Sequence, residues 1–184
     1  MNLITTNLAF MKEKFSPKDL LLGKWCLGNK SSENESKIIS YHWDDRKKLY
    51  KDYLYLKELK KDILPLLKDY LNKIHNTNFS NRAWDIILGS WLIKFLTICF
   101  DRWQVLEDAS KTNKKLNTIF YYKDFFEFIP KDTAHFLSIV DEDNWNHVFI
   151  GEIIKDQEKI SFEFSPNFFI NKFSNKKRNN FLSS

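Results

Sequence analysis

Glycine and proline are scarce, four of each in 184 residues. Folds made of many short strands joined by tight turns need more of both, so the shortage argues against an all-β sandwich or barrel. Cysteine is scarcer still. Cys26 and Cys99 lie far apart and make neither a zinc set nor a disulfide framework. Two reduced thiols fit a cytoplasmic protein. The compact signatures of common chemistries are also missing: no Gly-x-Gly-x-x-Gly turn, no P-loop, no Gly-x-Ser-x-Gly elbow and no His-Glu-x-x-His pair. On these grounds neither a cofactor nor a metal is expected. Residues 1–10 lack the charged start and long apolar run of a signal peptide. The most apolar stretch, residues 86–100, carries Lys94 and is too short to span a bilayer, so no membrane span is expected.

What is abundant is aromatic and charged. Aromatics make up 16% of the chain, and 17 residues are Phe. Hydrophobic residues at 43% and charged residues at 29% suit a globular, soluble chain long enough for one real core. The net charge is +5. Only Arg46, Arg82, Arg102 and Arg178 are arginines, and the lysines are interleaved with Asp and Glu. That pattern lacks the clustered basic face of a nucleic-acid binder, so no nucleic-acid partner is expected.

Read in order, residues 2–6, 19–23 and 37–41 are short β-prone runs. Leu20, Leu21 and Leu22 form a continuous apolar run, as a strand buried on both faces would. From Asp44 or Asp45 the period becomes helical. Leu49, Tyr53, Leu56, Ile63, Leu67, Tyr70 and Ile74 recur at helical spacing and should share the buried face. A carboxylate at 44 or 45 would cap the helix, Pro65 should kink or break it, and residues 75–78 end it. Ser80 would cap the next helix. Residues 84–103 are apolar almost all round, which predicts a central helix buried on most faces. Further strands are expected at 116–122 and 159–164. Helices are expected from Thr133 to Val140 and from Asp143 to Ile154. The fold class is therefore α/β and helix-rich, with a short, mostly parallel sheet. Residues 1–166 form one domain and residues 167–184 a frayed tail.

One stretch concentrates chemistry: Tyr41-His42-Trp43-Asp44-Asp45-Arg46. It falls where a strand gives way to a helix, the place where open α/β sheets bind ligands. In a functional reading His42 is an acid/base group, Asp44 or Asp45 orients it, and Arg46 grips an anion. In a structural reading an Asp caps the helix, Trp43 packs and Arg46 pairs with an acid. Trp25-Cys26 follows the second strand; a nucleophilic Cys26 would need a nearby base and a depressed pKa, and a buried inert thiol is the commoner case. Asp101-Arg102-Trp103 could be a site contact or a buried ion pair joining its helix to the first strands. Asn144, Trp145 and His147 form a second polar-aromatic group.

Several blocks together resemble one known family: Leu3-Ile4-Thr5-Thr6, Leu22-Gly23-Lys24-Trp25-Cys26-Leu27, Tyr41-His42-Trp43-Asp44-Asp45-Arg46, Tyr50-Lys51-Asp52-Tyr53, Leu88-Gly89-Ser90-Trp91-Leu92 and Asp101-Arg102-Trp103. Their order and spacing are similar to the N-terminal part of transferases from bacterial surface-polysaccharide gene clusters. These look like glycosyltransferases with two Rossmann-like halves. The resemblance spans about residues 2–154. It implies a Rossmann-like, acceptor-side half that takes a sugar or lipid-linked acceptor. It places His42, Asp44 and Asp45 at the catalytic position, with Arg46, Trp25, Arg102 and His147 as substrate contacts. Members are several times longer than this chain. The resemblance therefore also implies a truncated, singly inactive piece, or one with a missing C-terminal half or partner chain. The rival reading is a non-catalytic binding or assembly module. A large exposed apolar patch would mark where a missing half docks.

Overall fold

Consecutive apolar residues build the first two strands. In a computed structural model of the chain, residues 1–8, 11, 16, 18–27, 37–112, 115–120 and 128–164 are described. The expected tail lies outside them. Leu3–Ile4 (β1), Leu20–Leu21 (β2) and Lys37–Ile38 (β3) pair in parallel, Leu3 with Leu20 and Leu20 with Lys37. Asn117–Phe120 (β4) pairs in parallel with Ser161–Phe164 (β5). A parallel bridge between Asn2 and Asn117 sets β4 beside β1, and Asn117 N–H donates to the Met1 carbonyl at 3.0 Å. The spatial order is thus β3-β2-β1-β4-β5. All five strand positions match the sequence expectation. β1 and β2 are buried throughout, as their unbroken apolar runs require.

Two long helices separate β3 from β4. α1 spans Arg46–His75 and α2 spans Asn81–Ser110. α1 starts because the Asp45 carboxylate accepts from the N–H groups of Lys47 (2.8 Å) and Lys48 (3.3 Å). It stops at Asn76, whose φ of 50° is a left-handed helix end. Asp45→Ala should lower stability by about 1 kcal/mol in urea denaturation, the usual loss for an N-cap carboxylate. α2 begins under Ser80, whose hydroxyl accepts from Ala83 N–H at 3.2 Å. Two shorter helices, Thr133–Ile139 (α3) and Asp143–Gln157 (α4), lie between β4 and β5.

The main core joins β1, β2 and β4 to the end of α2 (Val105, Leu106, Ala109) and to α4 (Ile150, Ile154). Gly151 lets α4 lie close on β4: a Cβ there would meet the Phe120 ring at 3.2 Å. Two smaller clusters extend along the helices, Trp145 with Phe136 and Leu64 with Trp84 and Leu92.

Two expectations are corrected and one is narrowed: of the kink or break expected at Pro65, α1 shows no break. Ile63 and Leu64 before the proline and Leu67 and Leu71 after it pack with Trp84 and Leu92 of α2 and hold the turn in place. The buried stripe of α1 runs through Asp52, Leu56 and Leu64, leaving Tyr53, Tyr70 and Ile74 exposed at 53%, 62% and 55%. A 3.6-residue period cannot tell which of two adjoining apolar stripes finds a partner. α2 is neither buried on most faces nor short. It has 30 residues and is long and apolar enough to cross a membrane by length and composition, yet only 17% of its most apolar window is buried. Its second half enters the core while Ile86 and Ile87 in its first half stay open.

Candidate functional site at the strand carboxyl ends

The turns leaving β2 and β3 meet the middle of α2. After β2 the chain enters a 3₁₀ turn, Lys24–Leu27, and after β3 another, His42–Asp44. Gly23 is required between β2 and its turn, because the Trp25 ring folds back over its Cα where a Cβ would collide. The Trp25 indole N–H donates to the Thr5 carbonyl at 3.0 Å, anchoring the ring across the end of β1. In the second turn Asp44 N–H donates to the Tyr41 carbonyl at 3.1 Å. Between the turns opens a cleft of about 590 Å³, lined by Lys24, Trp25, Tyr41, Asp44, Asp101 and Arg102 above the apolar strand ends.

Asp101 organises the polar wall. Its carboxylate faces His42 Nε2 at 3.0 Å and pairs with Arg102. Arg102 Nε donates to Asn146 Oδ1 at 2.8 Å, and Asn146 in turn donates to the carbonyls of Val140 (2.9 Å) and Glu142 (3.0 Å). The Asp-Arg pair thus ties α2 to α4 and to the turn after β3, rather than to the first strands. A carboxylate only accepts, so His42 carries its proton on Nε2. His42 Nδ1 then lies 3.9 Å from Asp52 Oδ2, which itself accepts from Trp43 Nε1 (3.0 Å) and Lys48 Nζ (2.7 Å). The Tyr41 phenol has its pKa raised by burial, then by the Asp101 charge and the hydrogen bond to it.

The predicted residues separate into groups. Trp25, Asp44 and Arg102 line the cleft. His42 lies buried beneath it, 6% exposed, and meets it through Asp101. Asp45 is occupied as the α1 cap, and Arg46 is exposed on the first turn outside the cleft wall. His147 is not brought to the cleft. It is fully buried on α4, its ring 5.1 Å from Phe120, and burial pushes its pKa down to about 4. Helical position put it near Asn146 in sequence, but the adjacent residue faces the other side of the helix. Cys26 is inert: its thiol donates to the Ile4 carbonyl at 3.3 Å, and burial pushes its pKa up to about 12.

Sequence reasoning passed over Lys24 and gave Tyr41 no role of its own, although each stands within the first few residues past a strand. Asp101 was legible with Arg102 as a site contact or a buried ion pair, but which groups it meets was not, because only the crossing of α2 over the sheet end brings His42 to it. Asp44 and Lys24 have no hydrogen-bonding or ion-pair partner among the described residues, so a free carboxylate and a free ammonium face the same space as an indole and a phenol. Such a set can accept a proton, hold an anion and cover an apolar sugar or ring face. Among the described residues no group of three His, Cys, Asp or Glu is placed to hold a metal ion.

The model of one family, described as LIC12162 family transferase, matches residues 1–184. No curated protein and no solved structure matches the chain.

Proposed function

We propose an acceptor site in this cleft, because the chain belongs to the LIC12162 family of transferases and transfer needs a place where the receiving group meets a base. The reaction is sugar transfer of the kind that builds surface polysaccharide, and residues 1–166 are the acceptor-side, Rossmann-like half of a two-half enzyme. The parallel order β3-β2-β1-β4-β5 supports that reading, since it is the order of the first five strands in doubly wound sheets. The observation that carries the proposal is the cleft itself. It opens at strand carboxyl ends, where such sheets bind ligands, and it is lined by the Asp44 carboxylate, unpartnered among the described residues, together with the Trp25 and Tyr41 rings.

Each side chain then has a role. Trp25 and Tyr41 cover the apolar face of a sugar ring. Asp44 takes the proton of the acceptor hydroxyl as its oxygen bonds to the donor's anomeric carbon and the donor's phosphate leaves. Lys24 and Arg102 hold the phosphate of a lipid-linked or sugar-phosphate acceptor. His42 is a positioning residue, fixing Asp101 and through it Arg102. The donor would sit on a second half or a partner chain.

The test is titration of the isotope-labelled chain with simple sugars and sugar phosphates, followed by nuclear magnetic resonance. The Trp25 indole N–H signal, assigned with Trp25→Phe, should shift at millimolar ligand, and Asp44→Asn should weaken the response. A Trp25 signal that no sugar or sugar phosphate moves would remove the proposal.

A further inference from the structure

The hairpin of α1 and α2 ends far from the cleft. α1 begins beside Asp44 and runs 30 residues, about 44 Å at 1.5 Å per residue, to the connection with α2. The four most exposed aliphatic side chains among the described residues all lie near that tip: Leu66 (70%), Ile74 (55%), Ile86 (74%) and Ile87 (55%). Tyr70, 62% exposed, lies among them. Such a group of open aliphatic residues at one end of a helical pair marks a contact surface.

Charge indicates what the surface meets. The acids near the tip are occupied: Asp69 pairs with Lys68 at 2.9 Å, and Asp85 with Lys60 at 2.6 Å. Lys73 and Arg82, flanking the connection, have no acidic partner among the described residues. This end of the hairpin therefore carries open aliphatic side chains together with two cations that lack an acidic partner among the described residues. An anionic lipid surface complements both features: aliphatic side chains enter the acyl boundary, Tyr sits at headgroup level, and Lys and Arg meet the phosphates.

We infer that the α1–α2 hairpin tip is a peripheral contact for an anionic lipid bilayer, holding the chain on the membrane surface without spanning it. This inference does not depend on the cleft. It is tested by flotation of the full chain with phosphatidylcholine vesicles, with and without phosphatidylglycerol. The chain should float with the anionic vesicles only, and less so as salt rises. The double variants Ile86→Glu/Ile87→Glu and Lys73→Glu/Arg82→Glu alter exposed positions and should keep the parent's melting curve. Each should lower the bound fraction about tenfold or more. Asp44→Asn should float like the parent. Absence of flotation with anionic vesicles would overturn the inference, as would flotation that neither double variant reduces. A dimer that Ile86→Glu/Ile87→Glu dissociates, with no flotation, would overturn it in favour of a second copy.

Discussion

Asp101→Ala should lower the stability of the chain by about 3–5 kcal/mol, the range for removing one partner of a buried ion pair. The side chain is 6% exposed and meets two groups that need it, His42 Nε2 at 3.0 Å and the Arg102 guanidinium. With alanine there, Arg102 keeps only Asn146 among the described residues, and the buried His42 N–H loses its acceptor. Chemical denaturation of the parent and variant measures the loss. Asp101→Asn should cost less, because an amide oxygen still accepts from His42 while the charge opposite Arg102 is gone. The decisive comparison is a cycle with Arg102→Met. If the pair is one unit, the double variant Asp101→Leu/Arg102→Met recovers much of what Asp101→Leu alone loses, since the second change removes the stranded cation. Strictly additive losses would show that Asp101 acts through something else.

Mild acid should weaken the fold through His147. An unfolded histidine titrates near 6.5, whereas burial holds His147 neutral in the folded chain down to about 4. Between those values the unfolded chain binds a proton that the folded chain does not. The folded pKa is depressed for a base, so stability is full above about 6.5, falls as pH drops toward 4, and levels off below it. The window corresponds to about 3 kcal/mol. His147→Gln, which has no titrating ring, should flatten the fall between pH 6.5 and 4 relative to the parent in urea denaturation at several pH values. The same slope in both proteins would assign the acid sensitivity to other groups.

The five strands and both long helices were legible because their causes are local. Leu20 and Leu21 read as a strand buried on both faces because no polar residue interrupts them. A carboxylate at Asp44 or Asp45, and Ser80, read as caps because a short polar side chain before an apolar period satisfies free N–H groups on its own; the structure gave the first cap to Asp45. Burial was harder to read. The almost uninterrupted apolar surface of α2 announced a helix in need of cover, but no local signal says how many neighbours arrive. The exposure of Ile86 and Ile87 is a fact about what packs against them, and the same holds for Tyr53 and Ile74 on α1.

For the cleft, the sequence by itself determined that aromatic, acidic and basic groups stand at the ends of β2 and β3, since strand length and turn chemistry are written within a few residues. Only the tertiary structure decided which of them share a space. It buried His42 against Asp101, spent Asp45 on a helix end, left Arg46 outside the cleft wall, and turned His147 into the core. The physical reason is separation along the chain. His42 and Asp101 are distant in sequence, and their 3.0 Å contact exists because α2 crosses the carboxyl end of a parallel sheet in which β1 and β4, far apart along the chain, lie side by side.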